Sequence, residues 1–315
     1  MKTALLYLAT VLIWGTTWFA IEFQIGEVPA LVSLFFRFAL AALLMWGFCW
    51  VRGINLRLSR INHCFVFLLA LFNFSFNYLV LYWAQLYLTS AMASIAFSTL
   101  LLMNIINTRL FFGKPIALRV IVGSIAGVGG IIALFWHDIR SLDFSSEAII
   151  GLSLALGGTL LASLGNMISV RNSANQVTVI QGNAWGMLYG TIVLLLAAVV
   201  TDTPWVISTQ FSYWGSLVYL SLFGTVIAFA CYFLLFNEIG SEKASYVIVL
   251  FPFVAVIFST LYENFQWYTS TLIGFSLVIL GNFIVLTPFE RLIKWRQSML
   301  DKLEQSNDGL DKSTR

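Results

Sequence analysis

The sequence predicts an all-α, polytopic membrane protein with ten transmembrane helices arranged as a 5+5 inverted repeat. Only 10% of its 315 residues are charged and 60% are hydrophobic, whereas a soluble domain carries about 25% charged residues. The apolar residues form blocks of about 20, the length that crosses about 30 Å of hydrocarbon. Glycines in the two halves also recur at a constant offset. A bilayer is therefore the expected solvent of this chain.

Charges and turn residues divide the apolar blocks into ten predicted spans. Pro29, Pro115 and Pro288 lie at block edges, where a proline costs a helix little. The first block lacks a small-residue cleavage site before Glu22, so we interpret it as a helix rather than as a signal peptide. Spans 1 to 10 run approximately over 4–21, 29–51, 64–84, 91–112, 116–136, 148–170, 178–200, 212–236, 244–262 and 268–288.

Lysine and arginine fall almost entirely on one side of this map, in a ratio of 15 to 1. Arg140 alone lies on the other side, and Arg37 lies within span 2. By the positive-inside rule, we predict a multi-pass protein of the cell's inner membrane with both termini in the cytoplasm. The residues on the basic side are Lys2, Arg52, Arg57, Arg60, Arg109, Lys114, Arg119, Arg171, Lys243, Arg291, Lys294, Arg296, Lys302, Lys312 and Arg315.

The two halves share a glycine pattern. Gly123 and Gly130 bracket an aliphatic stretch in span 5, and Gly274 and Gly281 do the same in span 10, each 151 residues later. Five spans per copy force the second copy to insert upside down, as in many secondary carriers. The predicted domains are a first repeat over 1–140, a second repeat over 141–288 and a tail over 289–315.

The tail differs in character from the spans. Leu292, Trp295, Met299 and Leu303 recur at helical spacing among basic residues. This pattern predicts a short amphipathic helix on the anionic inner leaflet. The last ten residues have a composition typical of disorder.

Four stretches carry motifs that are typical of one family. They are Ile13-Trp14-Gly15-Thr16-Thr17-Trp18, Phe35-Phe36-Arg37-Phe38, the part of span 4 from Ala91 to Gly113, and the part of span 9 from Pro252 to Glu263. They resemble the drug/metabolite transporter superfamily, in its EamA-like branch, over the chain to about residue 288. That family often has proline in span 4 where this chain has Leu101, and Glu where Lys114 stands. The resemblance implies export of amino acids or other metabolites, commonly without ATP.

Arg37 is the one charged residue well inside a predicted span. It lies about 12 Å from the nearer end, at 1.5 Å per residue, where a charge costs several kcal/mol unless it is paired or hydrated. One interpretation is a structural partner, such as helix-end carbonyls or Glu263. The other is a water-filled cavity in which the planar guanidinium binds a substrate carboxylate.

Five further residues near mid-span are candidates for the substrate path, because an apolar helix face has no use for them. They are Trp14, Tyr78, Asn104, Asn166 and Tyr246. They predict a path between the repeats at the bilayer midplane, walled by spans 1, 3, 4, 6, 8 and 9. For any single amide the alternative is a bridge between helices, worth about 0.6–2 kcal/mol. Glu263, at the end of span 9, is either a solvated loop carboxylate or a gating or proton-coupling residue.

The favoured function is a secondary transporter that exports a small metabolite, most simply an amino acid or related compound, by alternating access. The alternatives are a lipid-handling protein such as a flippase, or a membrane partner without transport activity. The acids near the spans lie at their outer ends, which favours facilitated diffusion or exchange over proton drive. Besides its substrate, the expected partner is the lipid bilayer, and the protein is a monomer or a homodimer.

Other classes of function find little support in the residues. The chain has no Walker motif, so we expect no ATP drive. Its two histidines, His63 and His137, fall on opposite sides of the predicted map and have no acid pair near them, so we expect no enzyme. Its three cysteines lack metal-ligand spacing, so we expect neither a metal nor another cofactor. No stripe of basic and aromatic residues predicts nucleic-acid binding.

Overall fold

The computed structural model describes residues 2–136, 147–232 and 247–287, together with Leu234, Leu235 and Glu238. Regular structure within these residues is entirely helical. Tyr246, the loop that contains Arg140, and the tail from 289 lie outside the described residues. The helices are α1 (Lys2–Glu22), α2 (Ala30–Val51), α3 (Arg60–Leu71), π1 (Phe72–Phe76), α4 (Asn77–Ala84), α5 (Ser90–Phe97), α6 (Leu100–Phe112), α7 (Leu118–Leu134), α8 (Glu147–Ala174), α9 (Val179–Val200), α10 (Phe211–Tyr219), π2 (Leu220–Ile227), α11 (Val247–Tyr262) and α12 (Thr269–Leu286).

These helices fall on the predicted spans. Spans 1 to 4 and 6 to 8 correspond to seven helical stretches that are long and apolar enough to cross a bilayer. Spans 5, 9 and 10 correspond to the shorter apolar helices α7, α11 and α12. The prediction of an all-α, polytopic membrane protein is confirmed, and the count of ten spans stays a prediction.

The surface of the helices is apolar in a way that only a bilayer tolerates. Phe211 is 89% exposed, Leu118 74% and Ile125 69%. A soluble protein rarely exposes contiguous apolar patches of this kind. In lipid these side chains are solvated by acyl chains, and the backbone polar groups are satisfied within each helix.

Spans 3 and 8 each contain a π-helical segment near their middle. In π1 the Ser75 hydroxyl donates to the Ala70 carbonyl, and in π2 the Thr225 hydroxyl donates to the Leu220 carbonyl. Both bonds reach back five residues, which is the spacing of the π-helix itself. Two hydroxyls 150 positions apart therefore support the same departure from α-helical geometry in both halves.

Span 4 is broken, although it has Leu101 where the EamA-like branch often has a proline. Its two helices, α5 and α6, are separated by Ser98 and Thr99. The Ser98 hydroxyl donates to the Ile95 carbonyl and that of Thr99 to the Ala96 carbonyl, at 2.6 and 2.7 Å. Such local bonds compete with the backbone ladder and bend helices. By contrast, α11 runs unbroken through Pro252.

The glycines that repeat in sequence meet one another in space. A Cβ on Gly123 would lie 2.5 Å from the Gly281 carbonyl oxygen, and a Cβ on Gly130 would lie 2.7 Å from that of Gly274. Side chains other than hydrogen would force α7 and α12 apart. The contact is reciprocal, since exchanging positions 151 apart turns each pair into the other. A two-fold axis produces contacts of this kind.

Apart from the buried Arg37, the described charged residues lie at two ends, with Glu238 as the one acid beside the basic residues. Gln24, just after α1, donates to Ser216 of α10, and Glu263 accepts from the first N–H of α5. We call this the acidic end. We call the opposite end the basic end; there Arg171 donates to Asn62, and Lys2 pairs with Glu238 at 2.6 Å. The acidic end holds Glu22, Glu27, Glu147, Asp202 and Glu263, and the basic end holds Lys2, Arg52, Arg57, Arg60, Arg109, Lys114, Arg119 and Arg171.

Candidate substrate-binding site

Arg37 is buried, with 2% of its surface exposed. One guanidinium nitrogen donates to the Tyr82 hydroxyl at 3.2 Å. The guanidinium carbon lies 4.8 Å from the centre of the Tyr78 ring and 5.7 Å from that of Phe38. Its Nε has no hydrogen-bond partner. Arg37 therefore has one neutral acceptor and two aromatic faces around a full positive charge.

No carboxylate among the described residues lies within ion-pair distance of Arg37. Arg37 and Glu263 form no ion pair in the described structure, so the suggested pairing of the two is not found; the bonds of the Glu263 carboxylate go to Ser90 and Ser259. Ser221 of π2 donates to the backbone carbonyl of Arg37 at 3.0 Å, which ties α2 to the π segment of the second half. The arginine thus lies among α2, α4 and π2 with its charge uncompensated by the described side chains.

The Tyr78 and Tyr82 rings reach Arg37 because they are four residues apart on α4. Residues at this spacing share a face of a helix. Tyr78 alone was predicted from the sequence to lie on the substrate path; Tyr82, which accepts the hydrogen bond from Arg37, was detectable from the spacing of four. Ser221 had no such signal, since its contact depends on how π2 packs against α2.

Asn104 and Asn166 belong to a second group, linked by a chain of side-chain amides. Asn73 of π1 donates to Asn166 of α8 at 3.2 Å, and Asn166 donates to Asn104 of α6 at 3.2 Å. Gly165 allows the approach, since a Cβ there would clash with the Asn73 amide. Asn104 and Asn166 therefore take part in bridges between helices, which connect spans 3, 4 and 6.

Trp14 belongs to neither group. Its ring packs on Phe229 and Tyr232 of span 8, with ring centres 5.6 and 5.1 Å away. The described residues therefore place the predicted candidates in three separate groups rather than around one cavity. An open groove of about 450 Å³ between α1, α10 and α11 contains none of them. Thr16 and Tyr219, whose hydroxyls are hydrogen-bonded to each other, line this groove.

Glu263 lies at the acidic end, after α11. One carboxylate oxygen accepts from the backbone N–H of Ser90 at 2.8 Å and from the Ser259 hydroxyl at 2.7 Å. The other oxygen is buried without a partner. Glu263 is thus neither fully solvated nor paired with a cation within the described chain.

Both halves of the sequence match known proteins. A sequence model described as the EamA-like transporter family matches residues 1–136 and 149–287. The chain is 22% identical to the protein PagO of Salmonella typhimurium over 286 residues, covering 91% of this chain and 93% of the relative. It is 22% identical to the uncharacterized transporter YoaV of Bacillus subtilis, covering 92% and 99% of the two chains.

A relative from Escherichia coli and one solved structure also match this chain. The uncharacterized inner membrane transporter YedA of Escherichia coli is 27% identical, with 88% of this chain and 90% of the relative covered. One crystal structure superimposes with a TM-score of 0.65 at 17% identity, over 90% of this chain and 96% of that one. The structural match concerns the fold, whereas the family model covers nearly the whole described sequence. The chain therefore belongs to the EamA-like transporter family, whose members move small solutes across membranes.

Proposed function

We propose that the chain is a secondary transporter that exports an amino acid or a related carboxylate-bearing metabolite by alternating access. The observation that carries this proposal is the charge on Arg37, which is enclosed by the bundle without a carboxylate from the described chain. A charge buried in this way is strongly unfavourable unless a counter-charge joins it. A substrate carboxylate is the partner that completes the site.

The chemistry around Arg37 fits such a substrate. A guanidinium binds a carboxylate through two parallel hydrogen bonds, and the unpartnered Nε of Arg37 offers one of the donors. The Tyr78 and Phe38 rings hold the guanidinium by cation–π contacts. A neutral hydroxyl from Tyr82 is easily exchanged for a stronger, charged acceptor.

The path of the substrate runs between two inverted five-helix halves, 1–140 and 141–288. Three observations support this proposal: the reciprocal glycine contacts of α7 and α12, the π segments in spans 3 and 8, and a family match in two stretches, 1–136 and 149–287, that are similar in length. Spans 3 and 8, which carry the π segments, are both proposed walls of the path. Trp14, Asn104, Asn166 and Tyr246 are proposed to line it when the halves rock apart.

The orientation follows from the separation of charges. The basic end faces the cytoplasm by the positive-inside rule, so both termini are cytoplasmic and the acidic end faces outward. A relative that carries the description inner membrane transporter supports the same membrane for this chain. The amphipathic sequence pattern of residues 289–315 favours a place at the inner leaflet.

The test uses the purified full-length chain in proteoliposomes. Counterflow of radiolabelled amino acids is measured for the wild type and for Arg37→Lys, which keeps the charge and loses the planar fork. We expect normal insertion with at least about a tenfold loss of transport, equivalent to one lost charge-assisted bond of about 1.4 kcal/mol.

Arg171→Lys is the matched control. Arg171 also stacks on an aromatic ring, with its guanidinium carbon 3.7 Å from the centre of Phe65, but it lies at the basic end. Its transport should stay within about twofold of wild type, since no substrate role is assigned to it. Wild-type transport by Arg37→Lys would return Arg37 to a structural role and overturn the proposal.

A further inference from the structure

The acidic end contains a group of buried oxygen atoms with no cation beside them. Glu263 uses one carboxylate oxygen to bind the first N–H of α5 and the Ser259 hydroxyl, and leaves the other without a partner. Within the described residues, no Lys, Arg or His lies within ion-pair distance of Glu263 or Glu22. The favourable interaction with the α5 N-terminus accounts for one oxygen only.

Two fully enclosed neighbours also have unsatisfied atoms. Ser90 is 0% exposed, and its hydroxyl has no partner. That hydroxyl stays within about 4 Å of its own backbone nitrogen, by bond lengths alone, and this nitrogen binds Glu263. Gln85 is 3% exposed; its amide nitrogen donates to the Trp18 carbonyl, and its amide oxygen has no partner. Most buried polar side-chain atoms have a partner, so unpartnered ones are places where a water or an ion can bind.

Glu22 lies at the same place. The Trp18 carbonyl bound by Gln85 is one helical turn before Glu22 in α1. The Glu263 carboxylate is close enough to Glu22 for their negative charges to repel, and Glu22 is half-buried. We call Glu22, Gln85, Ser90 and Glu263 the carboxylate cluster.

Other titratable groups near the cluster supply no compensating charge. Tyr262 of α11 stacks on Phe19 of α1, and Tyr87 lies in the turn before α5. Glu27, at the same end, accepts from the Ser208 hydroxyl. Glu147, the first residue of α8, adds a further negative charge. The cluster is therefore acidic and rich in acceptors.

We propose that the carboxylate cluster binds one monovalent cation, a proton or Na⁺, that is coupled to transport. Two like charges near each other favour the uptake of a cation, and oxygen atoms are the ligands that hard cations take. The four residues come from α1, the end of span 3, α5 and the end of span 9. Occupancy therefore affects how these helix ends are held together.

The inference deepens the proposed function and rests on it for the coupling, but binding of the cation is measurable without transport. Glu263 joins α11 to α5 through Ser90, so it holds two proposed walls of the substrate path together at the acidic end. One monovalent cation halves the negative charge of the two carboxylates and so stabilises the contact of Glu263 with α5. Its release leaves two repelling carboxylates and favours opening.

The experiment measures thermal unfolding of the purified full-length chain in detergent. The pH is varied from about 8 to about 5, across the range in which a shared carboxylate proton binds. Separately, NaCl is compared with choline chloride at equal ionic strength. The variants are Glu22→Gln, Glu263→Gln and the double substitution. Glutamine at 263 keeps an oxygen that accepts from Ser90, and Glu22→Gln leaves the Glu263 bonds intact.

If the cation is a proton, the wild-type Tm rises relative to that of the variants as the pH falls, by about 3 °C or more. If it is Na⁺, NaCl raises the wild-type Tm at high pH by a similar amount, and the variants lose the response. Glu27→Gln, a carboxylate at the same end, should respond as the wild type does.

Identical responses of wild type and variants to both pH and Na⁺ overturn the cation site. Arg37→Gln separates this outcome from failure of the proposed function, because it removes the substrate site and leaves the cluster intact. Retention of the cation response in Arg37→Gln supports the site even where transport is abolished.

Discussion

The α7–α12 contact and the surroundings of Arg37 are both buried between helices, but they are made of very different residues. The α7–α12 contact depends on glycines. Gly123 and Gly130 let the backbones of the two helices approach so closely that a single methyl group would clash. The second depends on a long charged side chain whose hydrogen-bonding capacity is incompletely used. Close backbone packing leaves no room for adjustment, whereas an unsatisfied charge invites a change of partner. We therefore expect the α7–α12 glycine contact, which we call the seam, to be rigid, and the surroundings of Arg37 to rearrange when a ligand binds.

The largest effect is expected from Gly130→Leu. A Cβ at Gly130 would lie 2.7 Å from both the Gly274 carbonyl oxygen and the Val278 nitrogen, and backbone atoms cannot rotate away. We expect a loss of about 3 kcal/mol or more in the free energy of unfolding, at the upper end for overpacked sites. Gly129→Leu is the control, since a Cβ at Gly129 meets nothing within 4 Å. Equal losses in denaturant unfolding would show that the seam is not rigid.

An intermediate effect is expected from Tyr82→Phe. It removes the hydroxyl that accepts from Arg37 at 3.2 Å, and a hydrogen bond to a charged group is worth about 1.5–3 kcal/mol. Tyr78→Phe keeps the ring that faces the guanidinium, and the Tyr78 hydroxyl makes no hydrogen bond among the described residues, so stability should change little. Unfolding of the two variants measured side by side checks the difference. If Tyr82→Phe is as stable as Tyr78→Phe, Arg37 does not depend on its neutral acceptor.

The smallest effect is expected from Asn166→Leu, which breaks two amide bonds, to Asn73 and Asn104. Hydrogen bonds between membrane helices average about 0.6 kcal/mol, so we expect a loss of about 1 kcal/mol. Asn104→Leu removes one of the two bonds and should cost about half as much. A loss in transport far beyond this loss in stability would instead assign Asn166 to the substrate path.

Hydropathy predicted the helices well because the bilayer dictates their length and composition. The predicted 29–51 and 178–200, for example, correspond to Ala30–Val51 and Val179–Val200. The break at Ser98 and Thr99 was missed, since hydroxyl bonds to the preceding turn leave no mark on hydropathy. The offset of 151 residues between the glycines was visible in the sequence. The sequence did not show that Gly123 faces Gly281 and that Gly130 faces Gly274.

The site was less accessible to sequence reasoning. Arg37 and Tyr78 were singled out as unusual within apolar spans, and the structure brings them together. The contacts of Glu263 with Ser90 and Ser259, and its electrostatic interaction with Glu22, depend on which span ends are neighbours. A single sequence contains hardly any information on that arrangement. Proton drive was disfavoured because the acids lie at the outer ends of the spans, and the sequence does not show which of these ends are neighbours.

The π segments change how any residue after them should be assigned to a helix face. Each accommodates an extra residue, and one residue corresponds to about 100° of rotation in an α-helix. A helical wheel drawn through span 3 without π1 therefore turns Tyr78 and Tyr82 about a quarter of a turn away from Arg37. In an alignment, the same extra residue would be mistaken for a harmless one-position gap. Deleting one residue within Phe72–Phe76 would leave the length of the span almost unchanged and still point both tyrosines in the wrong direction.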